Sequence, residues 1–355
     1  MINQTVGNYR IVREIGTGGM GVVYLAQHPG IGRVAAVKVL HPALAQDEAI
    51  MTRFINEARA ANAVRHPGIV EIFDFGSLPS GATYIIMEYL EGESLAARIR
   101  RGGMSIAEAM EIAYQTAGVL GAAHDKGIVH RDLKPDNLFL IPDTHNPGLE
   151  MVKVLDFGIA KLSNLSTGSA QTRTGTMLGT PIYMSPEQCR GIREVDHRTD
   201  IYALGIILYQ MLCGQPPFLS QGLGDLIHMH IGTAPPPLRS FNPSIPPELE
   251  SVVLHALAKD PDNRLQTMAH FQAALKGVPQ QMTAATQRLP ASPPRRTGVP
   301  VQTTFSSAAS VIDDQAIFRP RTRWMPLALG VLLASGGAAA VFLLAAKGPP
   351  PLGSP

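Results

Sequence analysis

Cysteine and tryptophan are almost missing: two and one, respectively, in 355 residues. Cys189 and Cys213 cannot build a disulfide-dense secreted scaffold, so a reducing compartment suits the folded part. Charge is sparse as well. Asp, Glu, Lys and Arg make up 16% of the chain, below the roughly 25% of an average soluble domain. The many long apolar runs of a polytopic transporter are lacking. The N-terminus has no charged region followed by an apolar stretch, so no signal peptide is expected. No internal repeat is visible. With 45% hydrophobic residues, the chain as a whole is not a disordered one.

What is present divides into four zones. Residues 9–277 carry strand and helix patterns. Residues 278–323 are rich in Pro, Thr, Ser, Gln and Ala, with Pro290, Pro293, Pro294, Pro300 and Pro320. Such a segment buries too little to offset its chain entropy and reads as a disordered juxtamembrane linker. Residues 325–346 hold no charge, and 17 of these 22 are Ala, Val, Leu, Met or Phe. As a helix they span about 33 Å, enough to cross the hydrocarbon core. Trp324 marks one edge, and Arg319, Arg321 and Arg323 precede it. The positive-inside rule then predicts a single-pass inner-membrane protein with residues 1–323 in the cytoplasm. The short tail 347–355 lies outside, with no folded sensor expected there.

The net charge of +2 is a sum of unlike parts. Residues 278–355 hold seven basic and two acidic residues, net +5; residues 1–277 are net −3. The basic character therefore belongs to a membrane-proximal tail rather than to a nucleic-acid-binding face.

Tyr9–Ile15 alternates apolar and polar residues as a strand does. It runs into Gly16-Thr17-Gly18-Gly19-Met20-Gly21, and a second strand, Val22–Ala26, follows. Glycines here let backbone N–H groups approach phosphate oxygens. A dinucleotide fold needs a helix after the last glycine and an acidic residue about 20 positions on. This chain has a strand, and Leu40-His41-Pro42 at that distance. No lysine follows the glycines directly, so a Walker A loop is excluded.

Val34–Leu40 is a third strand with Lys38 inside it. Taken alone, Lys38 reads as a surface lysine, since Lys is rarely buried. The helical pattern of Ile50–Val64 changes that reading. Phe54, Ala58 and Ala61 share a stripe with Glu57 at its edge, and a Lys38–Glu57 pair holding phosphates accounts for both residues.

Residues 105–126 form an amphipathic helix that opens with a capping-box pattern, Ser105 to Glu108. Next come His130-Arg131-Asp132-Leu133-Lys134-Pro135-Asp136-Asn137 and, later, Asp156-Phe157-Gly158. Phosphoryl transfer needs in-line positioning and charge neutralisation more than covalent chemistry. Asp132 suits a hydroxyl proton, Lys134 a transferring phosphoryl group, and Asn137 with Asp156 the hard oxygen coordination of Mg²⁺.

The ordered set Gly16, Gly18, Gly21, Lys38, Glu57, Asp132, Asn137 and Asp156 resembles the protein-kinase signature. The chain is similar to eukaryotic-type Ser/Thr protein kinases of the bacterial, membrane-anchored kind, over residues 9–277. That resemblance implies an α+β bilobal fold: a small β-rich N-lobe with a five-stranded sheet, a larger helical C-lobe, and ATP between them. It implies a nucleotide pocket with Val23, Ala36 and Met87, the last as gatekeeper. Glu88 and Leu90 would bond adenine through their backbone, and Glu93 would contact ribose. Mg²⁺ is the expected ion, with Mn²⁺ as a substitute. Lys134 fits the Ser/Thr subfamily. Glu187 is expected to pair with Arg264, and Asp200 to anchor the catalytic loop. Ser185 replaces the Ala of the family's Ala-Pro-Glu.

The resemblance also implies an activation segment between Asp156 and Glu187. Thr172, Thr174 and Thr176 are its expected phosphosites, with Arg131 as their cation, and Thr180 belongs to the substrate platform. Gly330, Ala334 and Ala338 form a small-residue stripe compatible with a homodimer or with a merely Ala-rich span. His228-Met229-His230 reads as ordinary helix surface rather than zinc ligation, and the two cysteines as small, largely buried hydrophobes. The expected substrates are protein Ser and Thr hydroxyls. A pseudokinase scaffold or a small-molecule phosphotransferase are the alternatives. The first predicts loss of Lys38, Asp132, Asn137 or Asp156; the second predicts no Thr-rich segment ending in Pro-Glu. Neither condition is met.

Overall fold

The computed structural model describes residues 1–18, 20–41, 44, 47–144, 146–157, 181–192 and 194–279. They lie in the first of two compact units, Met1–Ser310. The linker, the apolar span, Thr172, Thr174, Thr176 and Thr180 lie outside the described residues. Among the described residues no helix is long and apolar enough to cross a membrane.

The N-terminal lobe is an antiparallel sheet built from β1 (Thr5–Val6), β2 (Tyr9–Thr17), β3 (Gly21–Gln27), β4 (Val34–Leu40), β5 (Ile72–Ser77) and β6 (Thr83–Glu88). Its spatial order is β1-β2-β3-β4-β6-β5. The sixth strand, beyond the five expected, is the two-residue β1, a short turn-back onto β2 too small to leave a periodic signal. Strand alternation divides β4 between two cores. Ala35, Val37 and Val39 pack on one face. Ala36 and Leu40 pack on the other with Phe54 and Ala58 of α1 (Glu48–Ala63). Lys38 lies between Ala36 and Leu40 in that alternation, so the pleat turns it inward, and it is 5% exposed.

The second lobe is helical. After β7 (Glu93–Ser94) come α2 (Leu95–Arg101) and α3 (Ile106–His124), then the hairpin of β8 (Leu138–Pro142) and β9 (Glu150–Val154). Among the described residues the helices α4 (Pro186–Cys189), α5 (Arg198–Cys213), α6 (Leu223–Gly232), α7 (Pro247–Ala256) and α8 (Met268–Lys276) follow. Helix α3 buries Ile106, Ala109, Ile112, Ala113, Thr116, Ala117, Leu120 and Ala123, the 3.6-residue stripe of a surface helix. Helix α5 is buried continuously from Thr199 to Tyr209, as expected of a helix apolar on all sides and set at the centre of the lobe.

Some local expectations are corrected. The capping box on α3 is half formed: the Ser105 side chain accepts from Glu108 N. The Glu108 carboxylate instead joins Glu93 and Glu150 around the Arg98 guanidinium, which offers a charged partner in place of one backbone N–H. The helix also ends at His124, before Lys126. His228 is exposed, but His230 is fully buried against Tyr202 and Phe218. Burial, aided by the charge of Lys259, pushes the His230 imidazole down to about 4. The cysteines are half-buried rather than largely buried. Burial raises the Cys189 and Cys213 thiols to about 11 and about 12, which leaves both in the unreactive protonated form.

The expected Glu187–Arg264 pair is present and inside the protein. Arg264 spans both Glu187 carboxylate oxygens at 2.7 Å. It also donates to the carbonyls of Ala258, Arg198 and Lys259, so all five of its N–H groups are used. Arg264→Ala leaves Glu187 buried without its counter-charge. The expected loss is about 3–5 kcal/mol, with Arg264→Lys recovering only part because an ammonium cannot span both oxygens. Urea denaturation of the two variants checks this.

Candidate active site

Residues from both lobes and from distant parts of the chain meet in one cleft. The glycine loop closes as a tight turn, Gly18 and Gly21 exchanging backbone hydrogen bonds at 2.9 and 3.3 Å. A Cβ on Gly21 would lie 2.1 Å from the Val39 carbonyl, so only glycine lets β3 start this close to β4. His41 ties the loop from the far end of β4, its Nε2 lying 3.0 Å from the Gly18 carbonyl. Gly16 pairs with Val23 across the hairpin.

Lys38 reaches both oxygens of Asp156, at 2.8 and 2.9 Å. Asp156 follows β9 and has φ of 45°, a strained conformation for a side-chain-bearing residue. Burial alone would raise its carboxyl. The charge and hydrogen bonds of Lys38, with Lys134 adding, outweigh burial and hold it below the ordinary carboxylate range. Glu57, the expected partner of Lys38, stands on α1, but its side chain lies outside the described residues.

The loop carrying Asp132 is held from below. Asp200, in the first turn of α5, accepts from the backbone N–H groups of His130 and Arg131 at 2.8 Å each. His124 Nε2 lies 2.8 Å from the same carboxylate. Burial would raise the Asp200 carboxyl, yet the His124 hydrogen bond and charge, with His130, outweigh it and hold the group low. This grip fixes Arg131 at φ of 64°. Gln188 adds a bond to the Arg131 carbonyl at 2.8 Å. His130 is fully buried and bonds the Leu155 carbonyl at 3.0 Å.

Asp132 and Lys134 stand 3.4 Å apart. Asn137 spends its amide N–H on the Asp132 carbonyl at 2.9 Å, and its own backbone carbonyl accepts from Leu155 N at 2.8 Å. Asn137 is therefore stitched both to the Asp132 loop and to the residue before Asp156. An amide oxygen beside a carboxylate is a hard donor set of the kind Mg²⁺ takes.

Val23, Ala36, Met87 and Leu90 share one buried cluster. Ala36 pairs directly with Met87 across β4 and β6. Phe139 and Leu155 belong to the same cluster and escaped the sequence reading. Phe139 stands two residues after Asn137, at an alternate position of β8, and that spacing is its signal. Glu93, expected at the ribose, lies in β7 and is half-buried. Its Oε1 is held by Arg98 at 2.7 Å and by Arg101 at 2.8 Å, because α2 places two guanidinium groups beside β7. Gln188 and Lys153 also went unnoticed. Lys153 has the same signal as Lys38: one lysine inside an apolar strand.

Comparison with known proteins agrees with this arrangement. The family model described as protein kinase domain matches residues 9–275. The chain is similar to serine/threonine-protein kinase Pkn1 of Myxococcus xanthus, 45% identical over 276 residues, covering 78% of this chain and 39% of that protein. It is 40% identical to pkn3 of the same organism over 76% of this chain and 50% of that protein. With PknB of Mycolicibacterium smegmatis the identity is 39%, over 83% of this chain and 48% of that protein. The chain thus spans half or less of these relatives' length. Among solved structures, the PknI kinase domain of Mycobacterium tuberculosis matches with a TM-score of 0.60 at 31% identity, over 78% of this chain and 98% of that one.

Asp200→Asn puts an amide N–H₂ against one of two backbone N–H donors and removes the charge facing His124. Because the folded-state carboxyl is depressed, its contribution is present above the unfolded value of about 3.9 and is lost as pH falls through the lower folded value. The variant is therefore expected to be less stable than the parent at pH 7, with the gap closing below about pH 4. Urea melts across that range check it.

Proposed function

The chain belongs to the protein kinase domain family, and from that premise we propose that it is a serine/threonine protein kinase using Mg-ATP. The observation that carries this reading is the cleft itself. Asp132, Lys134 and Asn137 sit on one loop clamped by Asp200, and the bond from Leu155 N to the Asn137 carbonyl ties that loop to the Lys38–Asp156 pair.

In this reading Asp132 orients a protein Ser or Thr hydroxyl and takes its proton as the hydroxyl oxygen bonds to the γ-phosphorus. The bond from that phosphorus to the bridging oxygen breaks, and ADP leaves. Lys134 meets the charge on the transferring group. Lys38 turns from Asp156 toward the α- and β-phosphates, and the backbone of the glycine turn covers them. Asn137 and Asp156 would hold Mg²⁺, which neutralises phosphate charge when bound. Val23, Ala36, Met87, Leu90 and Phe139 share a buried apolar cluster, chemistry of the kind that suits adenine. A scaffold without chemistry gives no reason to keep Asp132, Lys134, Asn137 and Asp156 together.

Autophosphorylation at Thr172, Thr174 and Thr176 raises activity in this reading. Arg131 Nε, buried and without a hydrogen-bond acceptor among the described residues, offers a donor for such a phosphate. Thr180 helps align the substrate. Residues 325–346 tether the kinase to the inner membrane, and the stripe of Gly330, Ala334 and Ala338 suits pairing with a second copy.

Incubation of the full chain with Mg-ATP and casein, followed by mass spectrometry, is expected to show phosphate on both proteins. Asp132→Asn, which removes the general base, and Lys38→Met, which removes the cation for the phosphates, are each expected to fall at least about 100-fold. The Thr172/174/176→Ala variant is expected to retain slower transfer. No phosphate gain by the parent chain would overturn the reading. Separately, the intact chain is expected in the membrane pellet and a chain lacking residues 325–346 in the supernatant. Equal partitioning would remove the tether.

A further inference from the structure

One buried charge plays no part in the chemistry above. Lys153 is 8% exposed, inside β9. Burying an ammonium is costly unless it is paired. Its Nζ donates to Glu88 Oε1 at 2.6 Å and lies 3.5 Å from the Ile69 carbonyl. Glu88 is the last residue of β6, where the chain leaves the sheet and the strand ladder stops holding it.

Glu88 is gripped at both ends. Its backbone N–H donates to the Glu71 carbonyl at 2.9 Å. Its Oε1 accepts from Glu71 N at 2.8 Å as well as from Lys153. The strand carrying Lys153 runs on directly to Asp156. It is tied to the same region by Val154 N donating to the Gly68 carbonyl at 2.7 Å and by a parallel bridge between Ile69 and Val154. One strand therefore ends at the phosphate side of the cleft and, three residues earlier, holds the segment that lines its apolar side.

We propose that Lys153 is a positioning residue for the nucleotide: through its buried pair with Glu88 it fixes the backbone of residues 88–90 against the adenine, at a set distance from Asp156. This rests on the nucleotide reading of the cleft. A neutral residue at 153 leaves Glu88 with one donor fewer and lets residues 88–90 shift. The loss falls on nucleotide binding rather than on the phosphoryl-transfer step, because Asp132 takes its position from the loop that Asp200 holds through the N–H groups of His130 and Arg131.

The test is a titration of the full chain, in mild detergent, with a ribose-labelled fluorescent ATP analogue, beside steady-state kinetics on casein. Lys153→Met is expected to weaken the analogue and raise KM for ATP by about tenfold, with kcat within roughly twofold of the parent. Lys153→Arg, which can still reach Glu88, is expected to restore binding. A Lys153→Met variant that melts cooperatively and binds like the parent, while Lys38→Met binds weakly in the same assay, overturns the proposal. So does a fall in kcat at unchanged KM. If Lys153→Met does not fold, Glu88→Gln, nearly isosteric and neutral, reads the same contact. Weaker binding there supports the proposal, and parent-like binding overturns it. A parent chain that binds no analogue removes the nucleotide reading itself, and this inference with it.

Discussion

The buried carboxylate of Asp200 is the constraint on which the site depends. It stands in the first turn of α5, where the helix dipole favours a negative charge, and the helix behind it is buried. Its two oxygens are shared among the N–H groups of His130 and Arg131 and the ring of His124. A desolvated carboxylate without these donors would cost several kcal/mol. The loop therefore adopts the one backbone path that supplies them, including the left-handed turn at Arg131. Asp132 and Asn137 take their positions from that path.

The same device recurs across the molecule. Arg264 with Glu187, Lys38 with Asp156, Lys153 with Glu88, and Arg98 with Glu150 each join segments distant in sequence. Buried pairs add little net stability, because desolvation offsets most of the Coulomb gain. Breaking one is costly, so they act as locks on geometry. A chain with only 16% charged residues commits several of them to this purpose, and two of these locks, Lys38–Asp156 and Lys153–Glu88, border the cleft.

Much of the site was legible in the sequence because its parts are short and local. The glycine turn, the strand with Lys38, the run from His130 to Asn137, and Asp156 with Phe157 each carry their own spacing. Ser105 was legible as a cap, since the N-cap preference is set within one turn. The partners of the charges were harder to read. Glu108 was expected to complete that cap, and Arg98 claims its carboxylate instead. His230 looked like helix surface until Tyr202 and Phe218 closed over it.

By itself, the sequence determined the elements and the order of the chemistry-bearing residues, through periodicity and spacing that act over a few residues. Only the tertiary structure decided which charge meets which. Lys38 and Asp156 are 118 residues apart, and Lys153 and Glu88 are 65 apart. No local preference links such positions. They meet because two lobes bury their apolar faces against a shared cluster, and the charges caught at that boundary must find partners there.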